Sequence, residues 1–148
     1  MVRVKKAFIV GLLMFVVVSS ADTASGQLGV GTKIPSAEVF VALVSEQAIL
    51  EVGVIPGFLG GAIALVADGK LLFGELADLP LWPFVGAGIT ISLTGQAIFF
   101  SPHALGGLEF RFTDIPLSLF GEVGVSLTFG ALGIGLVPGG QIGARFDF

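Results

Sequence analysis

Cysteine is absent from the chain, which excludes disulfides, thiolate metal sites and a lipoprotein leader that would need a Cys to acylate. There is one histidine, His103. With no thiol beside it, a transition-metal site has too few ligands, so neither a metal nor another cofactor is expected. Tyrosine is missing as well, which leaves phenylalanine as the main aromatic of any membrane girdle. Charge is scarce: 12% of residues are charged and 54% are hydrophobic, against about 25% charged in an ordinary soluble domain. A soluble fold of 148 residues cannot easily hide so much apolar surface.

The first residues account for part of this. Arg3, Lys5 and Lys6 precede an apolar run from Ala7 to Val18, and small residues follow. This is the pattern of an export signal, with cleavage expected after Ala21 or Gly26. Twelve apolar residues are short for a membrane-spanning helix. Residues 1–26 are therefore read as a signal peptide and 27–148 as a single domain. Beyond the leader the basic residues are Lys33, Lys70, Arg111 and Arg145, outnumbered by Asp and Glu. An acidic chain is not expected to bind nucleic acid, whose affinity rests on Lys and Arg contacts to phosphate.

No Asp, Glu, Lys or Arg occurs between Leu79 and Leu108. Such a run could be helical, but 23 glycines and the prolines at 56, 80, 83 and 102 oppose helix interiors. Val, Ile, Phe and Thr dominate the apolar stretches and favour strands. Polar and apolar residues also alternate with period two rather than 3.6. In the last stretch Ile142, Ala144, Phe146 and Phe148 alternate with Gln141, Arg145 and Asp147. Strand side chains alternate faces, so one face is greasy and the other charged.

Carried through the chain, this alternation predicts eight strands, at about 28–34, 36–45, 47–55, 61–73, 81–94, 104–113, 117–129 and 139–148. Turns are expected at Pro35-Ser36, at Glu46, at Pro56-Gly57, from Gly74 to Pro80, at Pro102, from Asp114 to Pro116, and through the glycine-rich stretch to Pro138. Asp68-Gly69 could make a tight hairpin turn, but parity continues through it, so one strand is predicted there. The fold class is an all-β, eight-stranded antiparallel up-and-down transmembrane barrel with a polar interior.

Ten charges then share the interior parity: Lys33, Glu38, Glu51, Asp68, Lys70, Glu109, Arg111, Glu122, Arg145 and Asp147. The other five, Glu46, Glu75, Asp78, Asp114 and, where cleavage follows Ala21, Asp22, fall in the tail or in turns. An eight-stranded barrel is just wide enough for side chains to fill, so its buried charges must pair. A cluster of Glu109, Arg111, Glu122 and Arg145 is predicted on the last three strands. Lys33 and Glu38 are predicted to pair at the outer rim, across the first turn. Interior glycines at 31, 53, 86, 88, 124 and 143 are expected to leave water-sized space. Phe73, Phe112, Phe146 and Phe148 should form a girdle at one interface, with Phe58, Phe99 and Phe129 near the opposite rim.

Residues 106–124, GGLEFRFTDIPLSLFGEVG, resemble the strand–turn–strand of small OmpA-like outer-membrane barrel proteins. Many of those carry a Leu-Glu-aromatic, Asp-x-Pro-Leu and Phe-x-Glu-Val pattern. Residues 139–148, GGQIGARFDF, resemble the final strand of that class. There, Phe146 and the terminal Phe148 look like the signal read by the outer-membrane assembly machinery. The resemblance covers about 28–148. It implies an exported barrel in a bacterial outer membrane, with periplasmic termini, lipid and the assembly machinery as partners, and a monomeric state. The larger OmpA proteins carry a peptidoglycan-binding domain after the barrel, and no such role is carried over here.

A structural barrel with a charge-paired lumen is the expected function, with a small pore for water or small solutes as the alternative. A lipid-modifying enzyme is a third reading. Ser101 and His103, expected in the third outer loop, could form a nucleophile–base pair. They match no familiar spacing, and no acid accompanies them in that loop. No catalytic residue is therefore expected. The clusters Gly57–Gly61 and Gly130–Gly140 lack the spacing of a phosphate loop.

Overall fold

The computed structural model describes residues 26–57, 62–95, 97–130 and 133–148. The expected leader, all but its last residue, and Phe58 lie outside them. Eight strands follow one another: β1 Gln27–Ile34, β2 Glu38–Val44, β3 Ala48–Pro56, β4 Ile63–Leu72, β5 Leu81–Leu93, β6 Ile98–Arg111, β7 Leu117–Gly130 and β8 Gly133–Asp147. Each pairs antiparallel with the next, and β8 returns to β1, closing an up-and-down barrel. Closure leaves the ladder without open edges over the paired span.

The alternation in the sequence becomes two faces. Along β2, Glu38, Phe40, Ala42 and Val44 are buried, and the residues between them are not. On the outer face Val39, Leu50, Leu71, Val85, Leu108 and Ile142 stand exposed, and Val123 reaches 70% exposure. Asp68-Gly69 does not turn. β4 runs straight through it, pairing Asp68 with Glu51 and Gly69 with Leu50.

Two expected turns are strand instead. Pro102 lies within β6, and the glycine-rich stretch before Pro138 belongs to β8. Proline supplies no backbone N–H, so it suits strand positions with a neighbour on one side only. Pro102 pairs with Ile89 of β5, and the β6–β7 ladder begins only at His103. Pro138 pairs with Val125 of β7, and β8 meets β1 only from Ile142 onward. Glycine and proline there mark one-sided strand rather than a turn.

The wall is therefore uneven. β1 and β2 have 8 and 7 residues, while β7 and β8 have 14 and 15. The hairpins β5–β6 and β7–β8 project at the end away from the chain termini, called here the distal end. The terminal end holds the start of β1, the finish of β8 and the charged turn residues Glu46, Glu75, Asp78 and Asp114. Phe73, Phe112, Phe146 and Phe148 are exposed at this end, and the Phe146 and Phe148 rings lie 6.3 Å apart. Phe99 and Phe129 are exposed on the distal hairpins.

Candidate functional site

The polar parity of every strand converges on the barrel interior, so that interior is the candidate site. All ten charges named from the sequence lie on the inward face, and eight of them are buried: Lys33, Glu38, Glu51, Asp68, Lys70, Glu109, Glu122 and Arg145. Arg111 and Asp147 are partly exposed near the terminal end.

They form two clusters rather than one. In the terminal cluster Arg145 is the centre. Its Nη1 and Nη2 donate to the two oxygens of Glu109 at 3.0 and 2.9 Å. Its Nε donates to Asp147 Oδ1 at 2.6 Å. Arg111 Nε donates to Glu109 Oε1 at 2.7 Å, and its guanidinium lies 4.5 Å from the Trp82 ring. Two cations face two carboxylates, and the bidentate fork is the strong form of such a pair.

Glu122 does not join this cluster, against the expectation. Phe120 stands between: it is the next inward residue of β7 toward the terminal end, it pairs with Glu109 across the β6–β7 ladder, and it is buried. Asp147 takes the place expected for Glu122.

Glu122 belongs to the distal cluster. Lys70 Nζ donates to Glu122 Oε2 at 2.8 Å and to Glu51 Oε1 at 2.9 Å. Lys33 Nζ is the hub, with Glu51 at 2.9 Å, Asp68 at 3.2 Å, and Glu38 and Glu122 both at 3.4 Å. Lys33 and Glu38 are thus not an isolated rim pair. They are 0% and 1% exposed, and Lys33 spreads its charge over four carboxylates. The ammonium groups also rest on aromatic faces: Lys33 lies 5.1 Å from the Phe40 ring, and Lys70 lies 5.0 and 4.7 Å from the Phe84 and Phe120 rings. The Phe40 and Phe120 rings meet edge-on at 5.9 Å. With Ile49 and Leu72 these rings form the apolar core.

Gly124 borders a cavity at the distal end, but Gly31, Gly53 and Gly143 do not leave the expected water-sized space. They accommodate the large side chains opposite. A Cβ on Gly53 would stand 2.9 Å from Glu38 Cγ, one on Gly143 2.6 Å from Phe120 Cε2, and one on Gly31 2.8 Å from Phe40 Cε1. Small residues on one strand make room for large ones on the next, as close packing requires.

His103 is in β6 and not in a loop. Its Nε2 donates to Asp68 Oδ1 at 2.7 Å, and Nδ1 lies 3.4 Å from the Ser101 carbonyl oxygen. The acid missing from its own segment comes from β4. The imidazole engages the backbone of Ser101 and not its hydroxyl, so the Ser–His pair considered from the sequence does not form. The sequence reading also passed over Phe84 and Phe120, both inward and buried. A signal existed for all three: His103 shares parity with Glu109, Phe84 with Gly86, and Phe120 with Glu122.

A cavity of about 340 Å³ sits at the distal end of the lumen. Glu38, Asp68, His103 and Glu122 line it with Val66, Thr90, Leu105 and the rim residues Pro35, Ser36 and Gln141. Among the described residues no group of three or more His, Cys, Asp or Glu is arranged to hold a metal ion.

No family model matches the chain, and no curated protein does. Among solved structures it is similar to the N-terminal β-barrel domain of Pseudomonas aeruginosa OprF, with a TM-score of 0.51 and 15% sequence identity. The match covers 83% of this chain and 96% of that domain. The likeness is one of fold: the chain is an eight-stranded antiparallel up-and-down barrel.

Proposed function

We propose that this protein is a structural barrel of a bacterial outer membrane, exported by its leader and inserted with both termini in the periplasm. One observation carries the reading: the outer wall is apolar, while ten charged side chains face a lumen crossed by the Phe40, Phe84 and Phe120 rings. An apolar wall around a polar interior is the pattern of a barrel standing in lipid. Paired charges and aromatic rings across the lumen favour closure over conduction. Phe146 and Phe148 would present the assembly signal, and lipid would be the main partner of a monomer. The reading includes no catalysis and no cofactor.

The test is planar-bilayer conductance of the refolded protein. A silent bilayer is the expected result. Reproducible steps that change on Glu122→Gln or Arg145→Met would replace this reading with that of a small pore. The distal cavity favours that second reading, because it already holds space for water at one end of the lumen.

A further inference from the structure

The two charge clusters differ in balance. In the terminal cluster Arg111 and Arg145 face Glu109 and Asp147. In the distal cluster Lys33 and Lys70 face four carboxylates: Glu38 of β2, Glu51 of β3, Asp68 of β4 and Glu122 of β7. His103 of β6 is the remaining titratable group there, and its Nε2 is committed to Asp68. With all four carboxylates ionised, and even with His103 counted as a cation, negative charge is in excess. Buried charge without a partner is costly.

The excess has a location. Glu38 is 1% exposed, and neither of its carboxylate oxygens has a hydrogen-bond partner among the described residues. Oε1 lies 3.4 Å from Lys33 Nζ, which is closer to Glu51 and Asp68. Glu38 lines the distal cavity together with Asp68 and Glu122. The same cavity has apolar wall from Ile55 and Leu105, and it reaches the exposed rim at Pro35. Its 340 Å³ is about ten times the liquid share of one water.

We infer that the distal vestibule binds a small primary ammonium, with the –NH₃⁺ group on Glu38 and its carbon chain along Ile55 and Leu105. An ammonium brings three donors and no acceptor, which suits a site whose unmet groups are all acceptors. It also brings the missing positive charge. A primary amine with a short chain fits the mixture of carboxylate and apolar wall better than a bare metal ion, which would leave that wall without a contact. The inference requires the barrel but holds for a closed or a conducting lumen.

The test is an amide NMR titration of the refolded full-length barrel in detergent micelles. The probe is n-propylammonium chloride, with n-propanol and potassium chloride as controls at matched concentration. Saturable shifts are expected at Ser36, Glu38, Gly88 and His103 with propylammonium alone. Glu38→Gln should weaken binding at least tenfold. Thr90→Lys, which places an ammonium in the cavity from β5, should abolish it. Non-saturating shifts, equal shifts with potassium, or unchanged affinity in Glu38→Gln would overturn the inference. If Glu38→Gln does not fold, Thr90→Lys decides: propylammonium binding retained in that variant overturns it.

Discussion

Arg145→Met is the sharpest perturbation of the terminal cluster. Arg145 is 1% exposed and holds both oxygens of Glu109 as well as the Asp147 carboxylate. Methionine keeps an unbranched apolar stem, so the change removes mainly the guanidinium. Glu109 would keep Arg111, at 2.7 Å, whereas among the described residues Asp147 would keep only the Ser118 hydroxyl, at 3.4 Å. Removing one partner of a buried pair costs about 3–5 kcal/mol. Arg111 makes the lower half of that range the expectation, about 3 kcal/mol, or a factor of roughly a hundred in the folding equilibrium. With a urea slope of about 2 kcal/mol per molar, the midpoint falls by about 1.5 M. The assay is reversible urea unfolding in lipid vesicles followed by Trp82 fluorescence. Trp82 is the only tryptophan, and it stacks on Arg111 beside the cluster. Glu109→Gln and the double variant complete the cycle, with a coupling above about 1 kcal/mol expected for residues in direct contact. A loss below about 1 kcal/mol for Arg145→Met, or additive single effects, would refute the picture of a mutually dependent ion cluster.

Two further outcomes test other parts of the barrel. Val123→Arg puts a cation at the most exposed large apolar residue of β7 and should destabilise the vesicle-inserted barrel by about 2–4 kcal/mol near the bilayer midplane; Glu75→Lys, in a turn, should change the same urea midpoint little. Ala77 and Asp78 have φ of 51° and 60° between the bridged residues Leu76 and Leu79, the left-handed pair that Asn-Gly prefers, so the combined replacement Ala77→Asn and Asp78→Gly should raise stability by about 0.5–1 kcal/mol, and a lowered urea midpoint would contradict that turn geometry.

Much of the barrel is legible in the chain because side-chain direction in a strand is local. Arg145 and Asp147 face inward because they share parity, whatever their neighbours are. The same rule carries Asp68 and Lys70 through a dipeptide that looks like a turn. It fails where composition is allowed to override it. Glycine and proline before Gln141 and around Pro102 look like breakers, yet they occupy one-sided strand, where a missing N–H costs no ladder bond. Starting the sixth strand at Ala104 leaves His103 in a loop, one residue short of its place in the wall.

What parity cannot supply is height. Which inward side chains meet depends on how far each strand is shifted against the next, and that shift accumulates around the closed wall. Glu122 and Glu109 share a face and lie on adjacent strands, but the β6–β7 register sets Phe120 beside Glu109 and sends Glu122 to Lys70. The same stagger brings Asp68 of β4 to His103 of β6, and one lysine from β1 to carboxylates of four other strands. The sequence alone determined a strand-rich chain with an apolar face and a charged one. Only the closed sheet decided that the charges divide into a balanced cluster and an acidic one with aromatic rings between them, because facing is a property of each residue and level is a property of the whole circumference.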